Sequence, residues 1–184
     1  MSFVNLQFWA LFLPLCFAVY AMARSARGQN LVLLLASLVF YASYDYKYVL
    51  LLLLCTAIGW LGGRLSGRDR RCCIAAAVLL LLVLLVFKYT GFLLGGLGAA
   101  LGFSLPAILL PVGLSFHVFQ SCSYLFDVYN GKLAPERDII SYALFVCFFP
   151  TVISGPIQKG RELLPQIRGK RALRYEDFSF FLLC

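Results

Sequence analysis

PVGLSFHVFQSCSYLFDVYNG, from Pro111 to Gly131, is the stretch whose reading decides the fold. It is apolar, yet it carries a polar seam. Pro111 fits the first turn of a helix, where its missing N–H costs nothing. His117, Gln120, Ser121, Tyr124 and Asp127 then share about a third of the circumference. Val118, Phe119, Cys122, Leu125 and Phe126 fill the rest. Polar groups in hydrocarbon are costly and turn toward protein or a water-filled cavity. Two readings follow. The seam residues bond to neighbouring helices, which is the default for any one of them, or together they wall an aqueous substrate funnel. For the seam as a whole the funnel wall is the expectation.

Outward from this helix the chain stays apolar. Of its 184 residues, 62% are hydrophobic and only 13% are charged, where soluble domains carry about a quarter. The apolar runs are continuous, which excludes the alternation of a transmembrane β-barrel. Several approach the ~20 residues that span a bilayer. The expected fold is all-α, a polytopic transmembrane helical bundle of about six or seven membrane segments. These fall near residues 3–22 (kinked at Pro14), 30–44, 48–63, 72–87, 90–105, 111–127 and 139–154. Ala21-Met22-Ala23 resembles a cleavage site, but no basic region precedes the apolar run, so segment 1 reads as a retained helix.

The net charge of +8 does not indicate nucleic acid. Lys and Arg sit at segment ends and in loops, as the positive-inside rule requires. Arg24–Arg27, Arg64–Arg71 and Lys159–Arg174 are expected in the cytoplasm, with the N-terminus outside. The Gly-rich stretch 90–105 has three readings: a closely packed helix, a re-entrant element or a loop. Only if it crosses do all basic loops fall on one side, and a crossing is therefore expected. Most of the seven Cys lie in apolar runs and behave as small hydrophobes. No spacing suggests a disulfide framework or a metal site, and none is expected. Cys72 and Cys73 read as small residues at a helix start rather than lipidation sites.

A second informative stretch is FFPTVISGPIQKGRELLPQI, residues 148–167. Ser154-Gly155-Pro156 should end a helix abruptly. Lys159 and Arg161 then lie at the cytoplasmic boundary, where they meet anionic lipid or a phosphate, or simply anchor the interface. Gly155, Pro156, Lys159 and Arg161 are candidates for the cytoplasmic mouth of the funnel. A new apolar run opens at Phe178, so the chain reads as the front part of something longer.

The two quoted stretches, with Phe12-Leu13-Pro14-Leu15, Ser37-Leu38-Val39-Phe40-Tyr41 and Phe87-Lys88-Tyr89, resemble the membrane-bound O-acyltransferases. The likeness covers residues 3–167 and is to the bacterial branch that includes the membrane subunit of alginate O-acetylation and the D-alanyl transferase of teichoic acids. The resemblance implies that residues 1–184 are the N-terminal part of one membrane-embedded acyltransferase domain in the bacterial inner membrane. It implies transfer of an acyl group, acetyl in the first instance, from a cytoplasmic thioester to a hydroxyl of a cell-envelope polysaccharide. The thioester, acyl-CoA or an acyl carrier, is a co-substrate and not a bound cofactor. Partners would be membrane lipid and periplasmic or extracellular transferases. The family's catalytic His is expected beyond Cys184, and its role is not carried onto His117. An alternative is a small-solute transporter or channel subunit, suggested by the Gly/Pro-interrupted segments. A third reading is an inactive truncated product.

Overall fold

The computed structural model describes residues 8–23, 25–67, 69–101, 111, 113–152 and 158–169. All regular structure among them is helical. A π-helical turn, Phe8–Phe12, leads into α1 (Leu13–Met22). Pro14 stands in the first turn of α1; its ring would crowd the carbonyl four residues back in a regular helix, and the wider π turn gives it room. α2 (Ala26–Asp45) starts at Ser25, whose Oγ accepts the Gly28 N–H at 3.0 Å. A 3₁₀ turn, Tyr46–Tyr48, links it to α3 (Val49–Leu65).

α3 and α4 (Arg71–Leu101) form a hairpin. Their close approach depends on Gly62, where a side chain would meet the Ala76 methyl and Leu125. Tyr46–Leu65 and Arg71–Thr90 are long and apolar enough to cross a membrane. α4 departs from the expected plan. It does not stop at Phe87 with a separate segment at 90–105, but continues through the glycines for 31 residues, a length of about 46 Å. The glycines weaken a helix without removing its hydrogen bonds, and 90–101 is one helix with 71–89. Residues 102–105 lie outside the described residues.

α5 (Leu114–Tyr129) begins three residues later than the Pro111 reading placed it. Gly113 is left-handed (φ 79°) and cannot continue a helix, and the Leu114 N–H returns to Pro111 O. Its far end stops at Asn130-Gly131, a dipeptide that favours turns. With Gly131 at φ 71°, its N–H bonds to Val128 O at 3.0 Å and the Lys132 N–H to Asp127 O at 2.9 Å, a Schellman ending.

The stretch 139–154 is not one segment. α6 (Ile139–Cys147) stops at Phe148, whose backbone is extended, and α7 (Phe149–Val152) follows. Nine residues carry α6 about 14 Å, half of a ~30 Å hydrocarbon layer. α8 (Gly160–Arg168) is already back where α6 began. Gly160 lies against Tyr124 and Leu133, and the Asn30 amide donates to Ile167 O at 2.9 Å. α6 and α7 therefore enter the bundle, and α8 lies at the end where α6 began.

Side-chain partners fix the directions of the helices. Thr56 meets His117 and Gly63 meets Tyr124, so α3 and α5 run parallel. Cys73 meets Gly62, so α4 runs against α3. Arg27 meets Asp138 and Ser37 meets Phe149, so α2 and α6 run parallel. At one end lie the starts of α2, α4 and α6, the ends of α3 and α5, and α8. Among the described Lys and Arg, only Lys47 and Lys88 lie at the other end, beside the Tyr48–Phe87 ring pair.

Candidate functional site

The break at Phe148 creates a backbone problem. The last carbonyls of a helix have no donor within it, and here they end inside the protein. α5 supplies the donors. Gln120 Nε2 donates to Phe145 O at 2.7 Å. His117 Nδ1 lies 3.2 Å from Val146 O; a carbonyl only accepts, so Nδ1 carries the ring proton. Beyond the break, the Phe149 N–H donates to Ser37 Oγ at 3.2 Å. The polar seam of α5 thus matches the free carbonyls of a helix that stops halfway.

The rest of the network fixes the ring. A neutral imidazole with its proton on Nδ1 accepts at Nε2, and Thr56 Oγ1 stands 3.3 Å away. Cys147 Sγ is 3.5 Å from the same hydroxyl. Thr56 has one hydroxyl proton, shared between Leu52 O at 2.8 Å and the ring, and its oxygen accepts from the Cys147 thiol. Both ring nitrogens are engaged in this arrangement, and His117 is 1% exposed. The buried ring holds a helix end through Nδ1, and Thr56 covers its second nitrogen.

Each seam residue can now be placed. His117, Gln120, Ser121 and Tyr124 are buried between α3 and α6. Ser121 Oγ and Tyr142 Oη, both fully buried, have no hydrogen-bond partner among the described residues. Tyr142 packs its hydroxyl on Gly59 and its ring 4.8 Å from that of Tyr124. Asp127 is half-buried at the seam's edge, outside this cluster. Lys159 and Arg161 are exposed at the basic end, Arg161 lying 3.7 Å from Glu162. Gly155 and Pro156 lie outside the described residues.

The structure adds a hub that sequence reasoning missed. Glu136, 4% exposed, accepts the Arg137 and Asp138 N–H groups on Oε1 at 3.0 and 3.1 Å. Its Oε2 accepts Arg168 Nε at 2.8 Å and Nη2 at 2.7 Å. The Glu136 N–H in turn donates to Tyr124 Oη at 2.8 Å. One residue, through its backbone N–H and its carboxylate, thereby ties α5, the 132–138 loop and α8 together. Thr56, Ser37 and Asn30 were missed as well. Each is a lone polar residue in or beside an apolar run, the signal that marks an intramembrane partner.

Comparison with known proteins gives a consistent set. The chain is 37% identical over 179 residues to a probable alginate O-acetylase, AlgI, of Azotobacter vinelandii, covering 90% of this chain and 36% of that protein. Against the Pseudomonas aeruginosa protein of that name it is 36% identical over 179 residues, covering 90% and 34%. A peptidoglycan O-acetyltransferase of Helicobacter pylori is 30% identical over 209 residues, covering 93% and 40%. Over nine-tenths of its length the chain is similar to proteins named O-acetylase or O-acetyltransferase. It spans about a third of the length of the curated relatives it matches. No family model and no solved structure matches it. Among the described residues, the seam is a set of positioning groups around a broken helix.

Proposed function

We propose that this chain is the N-terminal part of a membrane-embedded O-acetyltransferase domain acting on a cell-envelope polysaccharide. The observation that carries the reading is the similarity, over nine-tenths of the chain, to proteins named alginate O-acetylase and peptidoglycan O-acetyltransferase. In this reading α1 to α5 cross the bacterial inner membrane and α6–α7 re-enter it. The basic end faces the cytoplasm, and α1, which runs toward that end, starts outside.

The reaction breaks the acetyl C–S bond of a cytoplasmic thioester and forms a C–O bond to a sugar hydroxyl. A base takes the hydroxyl proton and the thiolate leaves. Such a base contributes about 10²–10⁴-fold, and His117 is not assigned that role. Its work, with Gln120, Ser121 and Tyr124, is to hold the wall of the substrate path at the broken helix, with Asp127 at its cytoplasmic edge. The donor, acyl-CoA or a carrier, approaches past Lys159 and Arg161, and extracytoplasmic transferases are its partners on the other side.

The test is complementation. The full-length gene that contains this coding stretch is expressed in bacteria deleted for their own O-acetylase, and alkali-released acetate is measured on exported alginate and on peptidoglycan. Acetate restored to either polymer supports the reading. Polymers without acetate, from cells whose membranes contain the protein, refute it.

A further inference from the structure

The basic end holds a cleft that the acetyl-transfer reading does not use. It has a volume of about 480 Å³ and is walled by the first turn of α2, the 136–138 loop and the end of α8. Arg27, Arg137 and Arg168 line it together with Glu136 and Asp138. The acids are already spent. Glu136 accepts from four N–H groups, and Asp138 accepts from the Ser141 N–H and hydroxyl at 3.2 and 2.9 Å. The cations are not. The Arg137 guanidinium is exposed and has no partner among the described residues. Arg27 has a single 3.4 Å contact to Asp138 with its side chain 74% exposed, and Arg168 spends only one edge on Glu136. The positive end of the 20-residue α2 dipole adds to the same field. Guanidinium groups with unspent donors suit a phosphate oxyanion.

What lies beside the cleft selects the kind of phosphate. Leu31, Leu35 and Val39 are exposed apolar residues spaced four apart. With Arg27 they form one stripe on the face of α2, which runs from the cleft into the apolar depth of the bundle. Ile139, next to Asp138, is also exposed. A phosphate seated at Arg27 and Arg137 therefore has a greasy track leading from it.

We infer that this cleft binds an anionic phospholipid, its phosphodiester headgroup held by Arg27 and Arg137 and one acyl chain lying along Leu31, Leu35 and Val39. The inference rests on the membrane-embedded part of the reading above and not on acetyl transfer. Acetate release decides one and lipid binding decides the other.

The test uses the purified protein in mild detergent micelles doped with dioleoyl phosphatidylglycerol or dioleoyl phosphatidylcholine, and reads affinity by thermophoresis. Arg27→Gln and Arg137→Gln remove exposed side chains, and Lys88→Gln is the control at the opposite end. Wild type and Lys88→Gln should prefer phosphatidylglycerol, and each arginine variant should bind it about fivefold more weakly. Inorganic phosphate should fail to displace it. Equal binding by wild type and both arginine variants overturns the site. Full displacement by inorganic phosphate overturns the lipid and leaves a free-phosphate site.

Discussion

Gln120→Met tests the capping of the broken helix most directly. Gln120 is 4% exposed and its amide reaches Phe145 O at 2.7 Å. Met has similar volume and no donor. Interhelical hydrogen bonds in membranes average only about 0.6 kcal/mol, because the groups find other partners. That average does not apply here, since Phe145 O belongs to the last turn of α6 and has no donor within its helix. Stranding it costs about 1–3 kcal/mol. Gln120→Glu should cost more, since an acceptor then faces an acceptor. The assay follows Cys147, which is 2% exposed and adjoins the break. With Cys147 as the sole cysteine, maleimide labelling in micelles reports opening of this region. Gln120→Met should label about 5- to 150-fold faster than wild type, and Gln120→Glu faster still. Labelling of Gln120→Met at the wild-type rate refutes the capping argument, as does a glutamate variant no faster than the methionine one.

Three further outcomes follow from the packing. In a double-mutant cycle, Thr56→Val and His117→Phe should couple by about 0.6–1.7 kcal/mol in thermal unfolding; additive effects would show that Thr56 does not serve the ring. Gly63→Ala places a methyl 2.6 Å from Cε1 of the fully buried Tyr124. It should cost about 1–3 kcal/mol, while Phe119→Leu, on the exposed face of α5, stays within about 0.5 kcal/mol; equal melting of the two variants contradicts the close approach. Glu136→Gln removes the charge that holds Arg168, so trypsin should cut after Arg168 faster than in wild type, and an unchanged rate argues that another contact holds α8.

Much of the architecture was legible, because hydrophobic runs state their own helicity and a polar seam in an apolar helix must turn inward. The Asn130-Gly131 ending was legible for the same local reason. Pro150 does not mark the break in 139–154, because it sits in the first turn of α7, where its missing N–H costs nothing. The helix ends at Phe148, before the proline. The expected crossing of 90–105 rested on the premise that 139–154 crosses as well. α8 lies at the end where α6 began, so Lys159 joins the basic loops, and 90–101 continues α4. Glu136 escaped notice because its neighbours Pro135 and Arg137 make it read as loop polarity. Its importance comes from Arg168, 32 positions away.

The halfway helix also bears on how the chain is made. Insertion selects segments that can leave water as whole spans, about 20 apolar residues long. With nine residues and two bare carbonyls at its tip, α6 does not qualify. In the membrane-embedded reading proposed above, it enters the bilayer only after α5 has settled with His117 and Gln120 facing the vacant side. The ribosome delivers α6 after α2, α3 and α5, so its receptor is already in place when it emerges. The order of the chain thus sets an order of assembly, in which the re-entrant hairpin docks onto finished helices and Glu136 and Arg168 fasten the end through which it came.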